Sequence, residues 1–209
     1  MTSIESIILE AADPTAAKHF YTTAFGLDAQ LRVQGIQAPT DGYRGFTLSL
    51  TVAQPGDVDS LVGSALENGA TALKPAAKSL WGYGAVLQAP DGAIWKIATS
   101  AKKDTGPVTR KIDQFVILIG VADVGASKRF YVEQGLTVAK SFSKMYVEFD
   151  GGGGAVKLAL YRRRALAKDA GVSPEGDGPH GLVIGSSGTS FTDPDGFAWQ
   201  PAASLAAAS

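Results

Sequence analysis

One pattern occurs twice in this sequence, and it limits the folds that the chain can adopt. An Asp closes an apolar run, Phe-Tyr follows seven residues later, and Gly-Leu comes next, once in Asp13–Leu27 and again in Asp123–Leu136. An Asp in this position accepts hydrogen bonds from the first free amides of a helix, and a Gly suits the end of the helix. Each copy therefore predicts a strand, a helix and the start of another strand.

A second repeated motif lies downstream of each copy. The stretch APDGAIWK spans Ala89–Lys96, and DPDGFAWQ spans Asp193–Gln200. Asp and Gly meet the backbone demands of a tight turn, and the repeated Trp95 and Trp199 predict a closing strand that belongs to the core. Because both motifs occur in the same order, the chain is predicted to consist of two related halves. We expect an N-terminal half 1–100, a linker 101–110, a C-terminal half 111–200 and a flexible tail 201–209.

The two halves differ between their shared motifs. In the first half, apolar residues from Val58 to Leu66 recur at helical spacing, and Asn68-Gly69 predicts the end of that helix. In the second half, Gly151–Gly154 predicts the tip of a hairpin, and the stretch from His180 to Gly196 runs from strand to strand without a helix. The halves are therefore predicted to be repeats with different deletions.

Composition excludes several classes of protein. The formal net charge is −1, so no summed positive field is available to hold a nucleic-acid backbone. The sequence has no cysteine, which rules out disulfides and thiolate metal sites. It is too polar and evenly mixed for a membrane protein, and its first residues lack the basic region and long apolar stretch of a signal peptide. We expect a globular, cytoplasmic protein that binds neither nucleic acid nor membranes.

A family resemblance rests on these motifs and on two further stretches, DVDSLVGSALENGA and WGYGAVLQAPDGAIWKI. Together they resemble the vicinal oxygen chelate superfamily, which contains glyoxalases, bleomycin-resistance proteins and extradiol dioxygenases. The resemblance covers nearly the whole chain apart from the linker and the tail, and it suggests a two-domain bacterial member. It implies an α+β fold in which tandem βαβββ modules form two curled mixed sheets, here with deletions in each half. Each curled sheet would enclose a cup for a small molecule.

The resemblance also implies where a metal would be held. Family enzymes bind one divalent metal through His or Gln in the opening strands and Glu in the closing strands. The corresponding positions of this sequence are Ser6, Thr47, Val116 and His180 in opening strands and Lys96 and Gln200 in closing strands. A lysine carries a positive charge and no free lone pair at neutral pH, and Gln200 offers an uncharged oxygen. We therefore predict no cofactor, with a divalent metal in a rearranged site as the alternative.

Aromatic and basic residues predict a ligand site. Trp81 and Tyr83 flank a glycine before the strand that leads to the first turn, where their rings could stack on a planar ligand. Lys96 could hold an anionic group, act as a base or pair with a carboxylate, and the arginine run in Tyr161–Gly171 is predicted to be a solvated face. The predicted ligand-binding residues are Ser6, Thr47, Trp81, Tyr83, Lys96, His180 and Gln200, of which Lys96 and His180 are also the catalytic candidates.

Three classes of function remain open from the sequence. The first is a metal-independent protein whose cup binds a small apolar or aromatic molecule. The second is a lyase, isomerase or dioxygenase with a rearranged metal site, or with metal-free acid–base chemistry from Lys96, His180, Glu10 or Tyr83. The third is an interaction module, favoured if the cups are filled by their own side chains. The fused halves allow either a monomer or a homodimer.

Overall fold

The computed structural model describes residues 2–206. The first half of the chain forms β1 (Ile4–Ala11), α1 (Pro14–Phe25), β2 (Leu31–Gly35), β3 (Asp41–Gly42), β4 (Phe46–Val52), α2 (Pro55–Glu67), β5 (Thr71–Ser79), β6 (Gly82–Gln88) and β7 (Ile94–Thr99). The second half forms β8 (Ile112–Val121), α3 (Val124–Glu133), β9 (Val138–Phe142), β10 (Tyr146–Phe149), β11 (Val156–Arg162), α4 (Arg163–Ala170), β12 (Gly176–Asp177), β13 (Leu182–Ser186), β14 (Phe191–Thr192), β15 (Ala198–Pro201) and α5 (Ala202–Ala206). No helix within residues 2–206 is long and apolar enough to cross a membrane.

The repeated Asp residues begin the helices, as predicted. Asp13 caps α1 by accepting a hydrogen bond from the amide of Ala16 at 2.9 Å. Asp123 caps α3 in the same way, through the amides of two residues in its first turn. Gly26 ends α1 with a φ of 68°, a conformation that glycine adopts without the steric penalty of a β-carbon. The strand–helix–strand prediction is therefore confirmed in both halves.

Eight strands form the larger sheet, in the order β5-β6-β7-β4-β8-β11-β10-β9. Within it, β4 pairs parallel with β7 and β8 pairs parallel with β11, so each set of four strands and its helix is a complete βαβββ module. The two modules meet where β4 pairs antiparallel with β8. Thr47 pairs there with Leu118, and Ser49 with Val116, which relates the modules by a pseudo-twofold axis.

Five strands form the smaller sheet, in the order β2-β1-β13-β15-β14. Its first module lacks two strands, because β2 pairs directly and in parallel with β1. Its other module lacks the helix, because β13 leads to β14 without one, as the sequence predicts. The two modules meet through antiparallel pairing of β1 with β13. The pairing of Ile4 with Val156 joins this sheet to the larger one.

Each sheet combines strands from both halves of the chain. The larger sheet takes β4 to β7 from the first half and β8 to β11 from the second. The smaller sheet takes β1 and β2 from the start of the chain and β13 to β15 from its end. The predicted α+β fold with mixed sheets and deletions is confirmed, but the sheets are nested rather than arranged one per half. The half boundaries near residues 100 and 111 stay a prediction.

The two repeated motifs contact each other in the core. Tyr21 of α1 donates a hydrogen bond from Oη to Asp91 of the first turn at 2.7 Å. Tyr131 of α3 donates to Asp193 of the second turn, which lies two residues earlier in its motif than Asp91 does in the first. Both tyrosines are buried, so their hydroxyl groups need a partner within the protein. The Phe-Tyr helix and the turn therefore recur together because they form one hydrogen-bonded unit.

The repeated tryptophans complete this unit. Trp95 and Trp199 are fully buried, which confirms their prediction as core residues. The ring centroid of Trp95 lies 5.3 Å from that of Tyr21, and the centroid of Trp199 lies 5.4 Å from that of Tyr131. Aromatic pairs at such distances add about 0.5–1.5 kcal/mol beyond their buried area. Each turn is thereby fixed against its helix by a hydrogen bond and a ring contact.

The described residues at the end of the chain belong to regular structure, and the flexible tail 201–209 stays a prediction. Of residues 201–209, the first completes β15 and residues 202–206 form α5. Leu205 of α5 is buried, and a β-carbon added to Gly185 of β13 would lie 2.9 Å from its Cδ1 atom. The helix therefore packs closely on the smaller sheet. Residues 207–209 lie outside the described residues.

Candidate functional site

The register of the larger sheet identifies the four positions where the resembled enzymes carry metal ligands. Thr47 on β4 and Val116 on β8 each lie seven residues before the cap of the following helix. Lys96 on β7 and Ala159 on β11 are the matching closing-strand residues, since each pairs with the residue two positions after the opening one. The cup of the larger sheet therefore presents Thr47, Val116, Lys96 and Ala159 at these positions.

The smaller sheet has the same four positions. Ser6 on β1 is the opening residue, and its counterpart on β13 is Val183, which pairs with the residue two positions after Ser6. Counting along the sequence placed this position at His180, so the strand register corrects it by three residues. The closing-strand residues, found by the same rule, are Arg32 on β2 and Gln200 on β15.

The residues at these eight positions do not fit a divalent metal. None of them carries an imidazole or a carboxylate, and the oxygen donors of Ser6, Thr47 and Gln200 are uncharged. Lys96 and Arg32 bring positive charge, and Ala159, Val116 and Val183 bring no donor atom. Within residues 2–206, no group of three or more His, Asp or Glu is arranged to hold a metal ion. These eight residues therefore do not supply the ligand set that the resemblance implies.

Helix α4 covers the centre of the larger sheet. It follows β11 directly, and its buried residues Leu166, Ala167 and Ala170 lie in one apolar cluster with Leu118 and Ala159 of the sheet. These two sheet residues are on the face that also carries Thr47 and Lys96, because side chains on a strand alternate between faces. The helix therefore occupies the place where a cup would receive its ligand.

The C-terminal end of α4 is held by lysines of the neighbouring strands. Lys96 Nζ donates to Asp169 Oδ2 at 2.6 Å, and Lys74 Nζ donates to the carbonyl oxygens of Lys168 and Asp169 at 2.9 and 2.5 Å. Most charges of α4 oppose its own dipole, with Arg162–Arg164 at the N-terminus and Asp169 in the last turn, where only Lys168 favours it. The ion pair is partly exposed and contributes about 1 kcal/mol at most. Packing therefore holds α4 in place.

Two hydroxyl groups are buried beneath α4. Thr47 is 2% exposed and Tyr43 is 4% exposed, and among residues 2–206 neither hydroxyl makes a well-formed hydrogen bond. Burial is the largest cause of the raised pKa of Tyr43, and Thr47 is near enough to offset that rise only in part, so the phenol stays neutral. An unsatisfied buried hydroxyl costs about 1–3 kcal/mol. The packing of α4 and the sheet has to outweigh this cost.

A groove of about 300 Å³ remains open beside the C-terminal end of α4. Val86 and Ala98 give it an apolar floor, and Trp81 stands at the tip of the β5–β6 hairpin with 84% of its surface exposed. The charged residues that line it are Lys74, Lys78, Lys96 and Asp169. Three positive charges against one negative charge make the groove attractive to anions.

Three of the predicted ligand-binding residues border this groove: Trp81, Tyr83 and Lys96. The phenol of Tyr83 is engaged elsewhere, because its Oη donates to Asp59 of α2 at 2.7 Å. That hydrogen bond is the largest cause of the raised pKa of Tyr83. Lys96 is likewise paired with Asp169, so Trp81 is the predicted residue whose side chain lies most openly at the groove.

The other predicted residues lie elsewhere. Thr47 is beneath α4, and Ser6 and Gln200 lie on the smaller sheet, where both pair with Gly185. His180 precedes β13, and its ring stacks on Phe197 with centroids 3.8 Å apart. The ring nitrogens of His180 lie 2.6 and 2.9 Å from two backbone carbonyl oxygens. The seven predicted residues therefore do not form one site.

Helix α4 is the main element of this region that the sequence analysis did not predict. The arginine run was interpreted as a solvated face, which fits the exposed Arg162 and Arg164 but not the half-buried Arg163. Leu166, Ala167 and Ala170 follow at the spacing of one helical face, and Gly171 ends the helix in the left-handed conformation. This short apolar pattern after the arginines was the signal for a helix packed on the sheet.

Comparison with known proteins finds solved structures with a similar fold. No protein-family model matches the sequence, and no curated protein matches it either. Among solved structures, glyoxalase I from Zea mays is 13% identical, with a TM-score of 0.67 over 100% of this chain and 95% of that one. A putative dioxygenase from Bacillus subtilis subsp. subtilis str. 168 is 10% identical, with a TM-score of 0.56 over 87% of this chain and 69% of that one.

At these identities the likeness concerns the fold alone. Both proteins carry names from the superfamily that the sequence motifs resemble, and the glyoxalase covers the full length of this chain. The repeated helix, turn and closing strand are therefore features of a shared scaffold. The chain has the same fold as glyoxalase I, as the resemblance in its sequence implies.

Proposed function

We propose that this protein binds a small planar molecule with an anionic group in the groove beside α4, without a catalytic metal. The observation that carries the proposal is the exposed indole of Trp81 next to Lys78 and Lys96, above an apolar floor. An aromatic face and an apolar floor suit a flat ring, and the lysines suit a carboxylate or similar group. Because α4 fills the centre of the cup, the ligand site is displaced to its edge.

The catalytic candidates already have hydrogen-bond or ion-pair partners within the protein, which favours binding over catalysis. Lys96 pairs with Asp169, and the phenol of Tyr83 donates to Asp59. Both ring nitrogens of His180 face backbone carbonyl oxygens. A general acid or base has to reach the substrate proton, and these groups are directed at protein partners instead. The alternative of a metal-free lyase or isomerase therefore has less support than a binding protein.

We expect Trp81→Ala to weaken the binding of 2-naphthoate about tenfold, because it removes the stacking surface. Isothermal titration measures the affinity. Leu80→Ala is the matched control, since Leu80 is 79% exposed on the same turn and does not line the groove. Neutral 2-naphthalenemethanol should bind more weakly than the carboxylate. Equal affinity of Trp81→Ala and the unaltered protein for 2-naphthoate would argue against this site.

We expect the purified protein to contain less than about 0.1 equivalent of any transition metal, because the eight ligand positions lack imidazole and carboxylate groups. Elemental analysis of protein prepared without chelator measures this content. EDTA should leave the melting temperature unchanged, since removal of a ligand destabilises a protein only when the folded state binds it. About one metal per chain together with a lower melting temperature in EDTA would contradict a metal-free site.

An interaction module is the second candidate function. The observation that favours it is the apolar cluster of α4 residues Leu166, Ala167 and Ala170, which fills the cup from within the chain. A scaffold of this kind would bind no member of a panel of aromatic carboxylates, whereas the proposed function requires at least one. A thermal-shift panel separates the two, because ligand binding raises the melting temperature.

We also propose that the protein is a monomer. The larger sheet takes both of its modules from one chain, so a second copy is not required to complete it. This completeness favours a monomer over the homodimer that the sequence also allows. Size-exclusion chromatography with light scattering measures the mass in solution.

A further inference from the structure

Two arginines meet on the side of the molecule away from the groove. Arg44, between β3 and β4, donates from Nε to the carbonyl of His180 at 2.7 Å and from an η-nitrogen to that of Gly181 at 2.5 Å. Arg163, at the start of α4, donates from Nε to the carbonyl of Pro174 at 2.9 Å and from an η-nitrogen to that of Tyr43 at 2.7 Å. Backbone carbonyls therefore fix both guanidinium groups.

Aromatic rings and a glycine also help to position the two guanidinium groups. The guanidinium of Arg44 lies 5.2 Å from the ring centroid of Phe46, and that of Arg163 lies 5.3 Å from the ring centroid of Tyr43. A β-carbon on Gly45 would come within 2.4 Å of an η-nitrogen of Arg163 and 3.1 Å of the His180 ring. Gly45 has a φ of 83°, so the backbone there also favours glycine. The absence of a side chain at this point lets the three basic groups converge.

Neither guanidinium forms an ion pair within the described part of the chain. Among residues 2–206, Arg44 and Arg163 take part in no ion pair with Asp or Glu. Both side chains are half-buried, and burial lowers the pKa of Arg44 although Asp91 and Glu10 raise it. A half-buried guanidinium without an ion-pair partner can bind an anion that reaches it through a cavity.

The same residues line a cavity of about 350 Å³. Tyr43, Arg44, Arg163 and His180 form one side of it, and Glu175 and Asp177 form the exposed rim. The rim carboxylates reduce the net positive charge but pair with neither guanidinium. This cavity shares no lining residue with the groove of the proposed function.

We propose that this cavity is a second binding site, which takes a small oxyanion, a carboxylate or a phosphate, between the guanidinium groups of Arg44 and Arg163. Arginine presents planar, directed N–H donors that match both kinds of oxyanion. Each guanidinium has an η-nitrogen left for a ligand after its carbonyl contacts. The site is separate from the groove beside α4, so it does not depend on the function proposed there.

The test titrates inorganic phosphate and acetate separately into ¹⁵N-labelled protein and follows the Nε–Hε signals of the arginines by NMR. We expect the Arg44 and Arg163 signals to shift together with a dissociation constant on the order of millimolar for at least one probe. A response to phosphate alone assigns a phosphate site, and a response to acetate alone assigns a carboxylate site. No shift with either probe overturns the proposal.

Three variants sharpen the result. Arg163→Gln should weaken binding about tenfold or more, because it removes one charge-assisted hydrogen bond. Arg164→Gln is the matched control, since Arg164 is exposed and does not line the cavity, and it should bind as the unaltered protein does. Should Arg163→Gln fail to fold, the pair Glu175→Gln and Asp177→Asn still tests the site from its exposed rim.

The rim variant, which combines Glu175→Gln and Asp177→Asn, should bind severalfold more tightly whichever anion shifts the arginine signals. The reason is that two negative charges, which repel the anion, are removed. Unchanged or weaker binding by the rim variant would count against an oxyanion between the arginines. Trp81→Ala should leave this titration unaltered whether or not it affects binding of 2-naphthoate. The two sites can therefore fail independently.

Discussion

Asp193→Ala is expected to lower the free energy of unfolding by about 3–5 kcal/mol. Asp193 is 5% exposed and accepts hydrogen bonds from Tyr131 Oη and from the amides of Asp195 and Phe197. The substitution removes all three acceptor contacts and leaves the buried phenol of Tyr131 without a partner. Urea unfolding followed by circular dichroism measures the change.

The first half supplies a comparison. Its turn has Ala89 at the place of Asp193, and Tyr21 Oη donates instead to Asp91, two residues further along the motif. Asp91 also accepts from the amide of Ala93, but it is only half-buried. Water can replace some of the hydrogen bonds that Asp91→Ala removes. We therefore expect this substitution to lower the free energy of unfolding by only about 1–2 kcal/mol. Equal costs at Asp91 and Asp193 would show that burial of the turn does not set the strength of this unit.

The cost of Asp193→Ala should also depend on pH. Burial is the largest cause of the raised pKa of Asp193, and the hydrogen bonds from Tyr131 and Phe197 offset only part of it. A carboxyl group with a raised pKa in the folded state adds stability that is present below its ordinary pKa and is lost as the pH rises through the raised value. The substitution should therefore cost more at about pH 4 than at about pH 7. A cost that grows with pH would contradict burial as the dominant cause.

Leu166→Asp is expected to detach α4 while the larger sheet stays folded. A carboxylate cannot remain in the apolar cluster with Leu118 and Ala159 without a partner, so the helix should leave the sheet. The loss of stability is then limited to the docking energy of α4, about 3 kcal/mol for one buried leucine and its neighbours. Hydrogen exchange should show about a hundredfold loss of protection in α4, with β4 and β8 unaffected.

Leu118→Asp is the control for this variant. Leu118 lies in the same cluster, but it belongs to β8, which pairs with β4 and β11 at the centre of the sheet. A charge there cannot be relieved by moving one short helix, so the whole molecule should lose stability, by about 4 kcal/mol or more. If Leu166→Asp lowers protection in β4 and β8 as much as in α4, the helix and the sheet form one cooperative unit.

The local parts of this fold are predictable from sequence because local chemistry determines them. Asp13 and Asp123 cap helices wherever they precede one, and the turns at Asp91 and Asp193 need only their own backbone preferences. The choice of partner strands is different. Ser6 of β1 lies beside Gly185 of β13, and nothing in either segment alone specifies that pairing. The nesting of the two sheets could therefore not be predicted from the sequence.

The candidate site follows the same division. Trp81 and Lys96 border one groove because the hairpin of Trp81 and the strand of Lys96 are neighbours within a single module. Thr47 and His180 were predicted by counting along the chain, which cannot register the helix that covers Thr47 or the strand offset that separates His180 from Val183. The ligand-binding role of all seven residues stays a prediction until binding is measured.

The nested sheets impose an order on the folding of these strands during synthesis. The strand β1 leaves the ribosome well before its antiparallel partner β13. The strands between them can close the eight-stranded sheet as soon as β11 emerges, whereas the apolar face of β1 has to wait for β13. Contacts of such long sequence separation also slow folding. Of the described strands, β1 therefore stays unpaired longest and is the most exposed to aggregation or chaperone capture during synthesis.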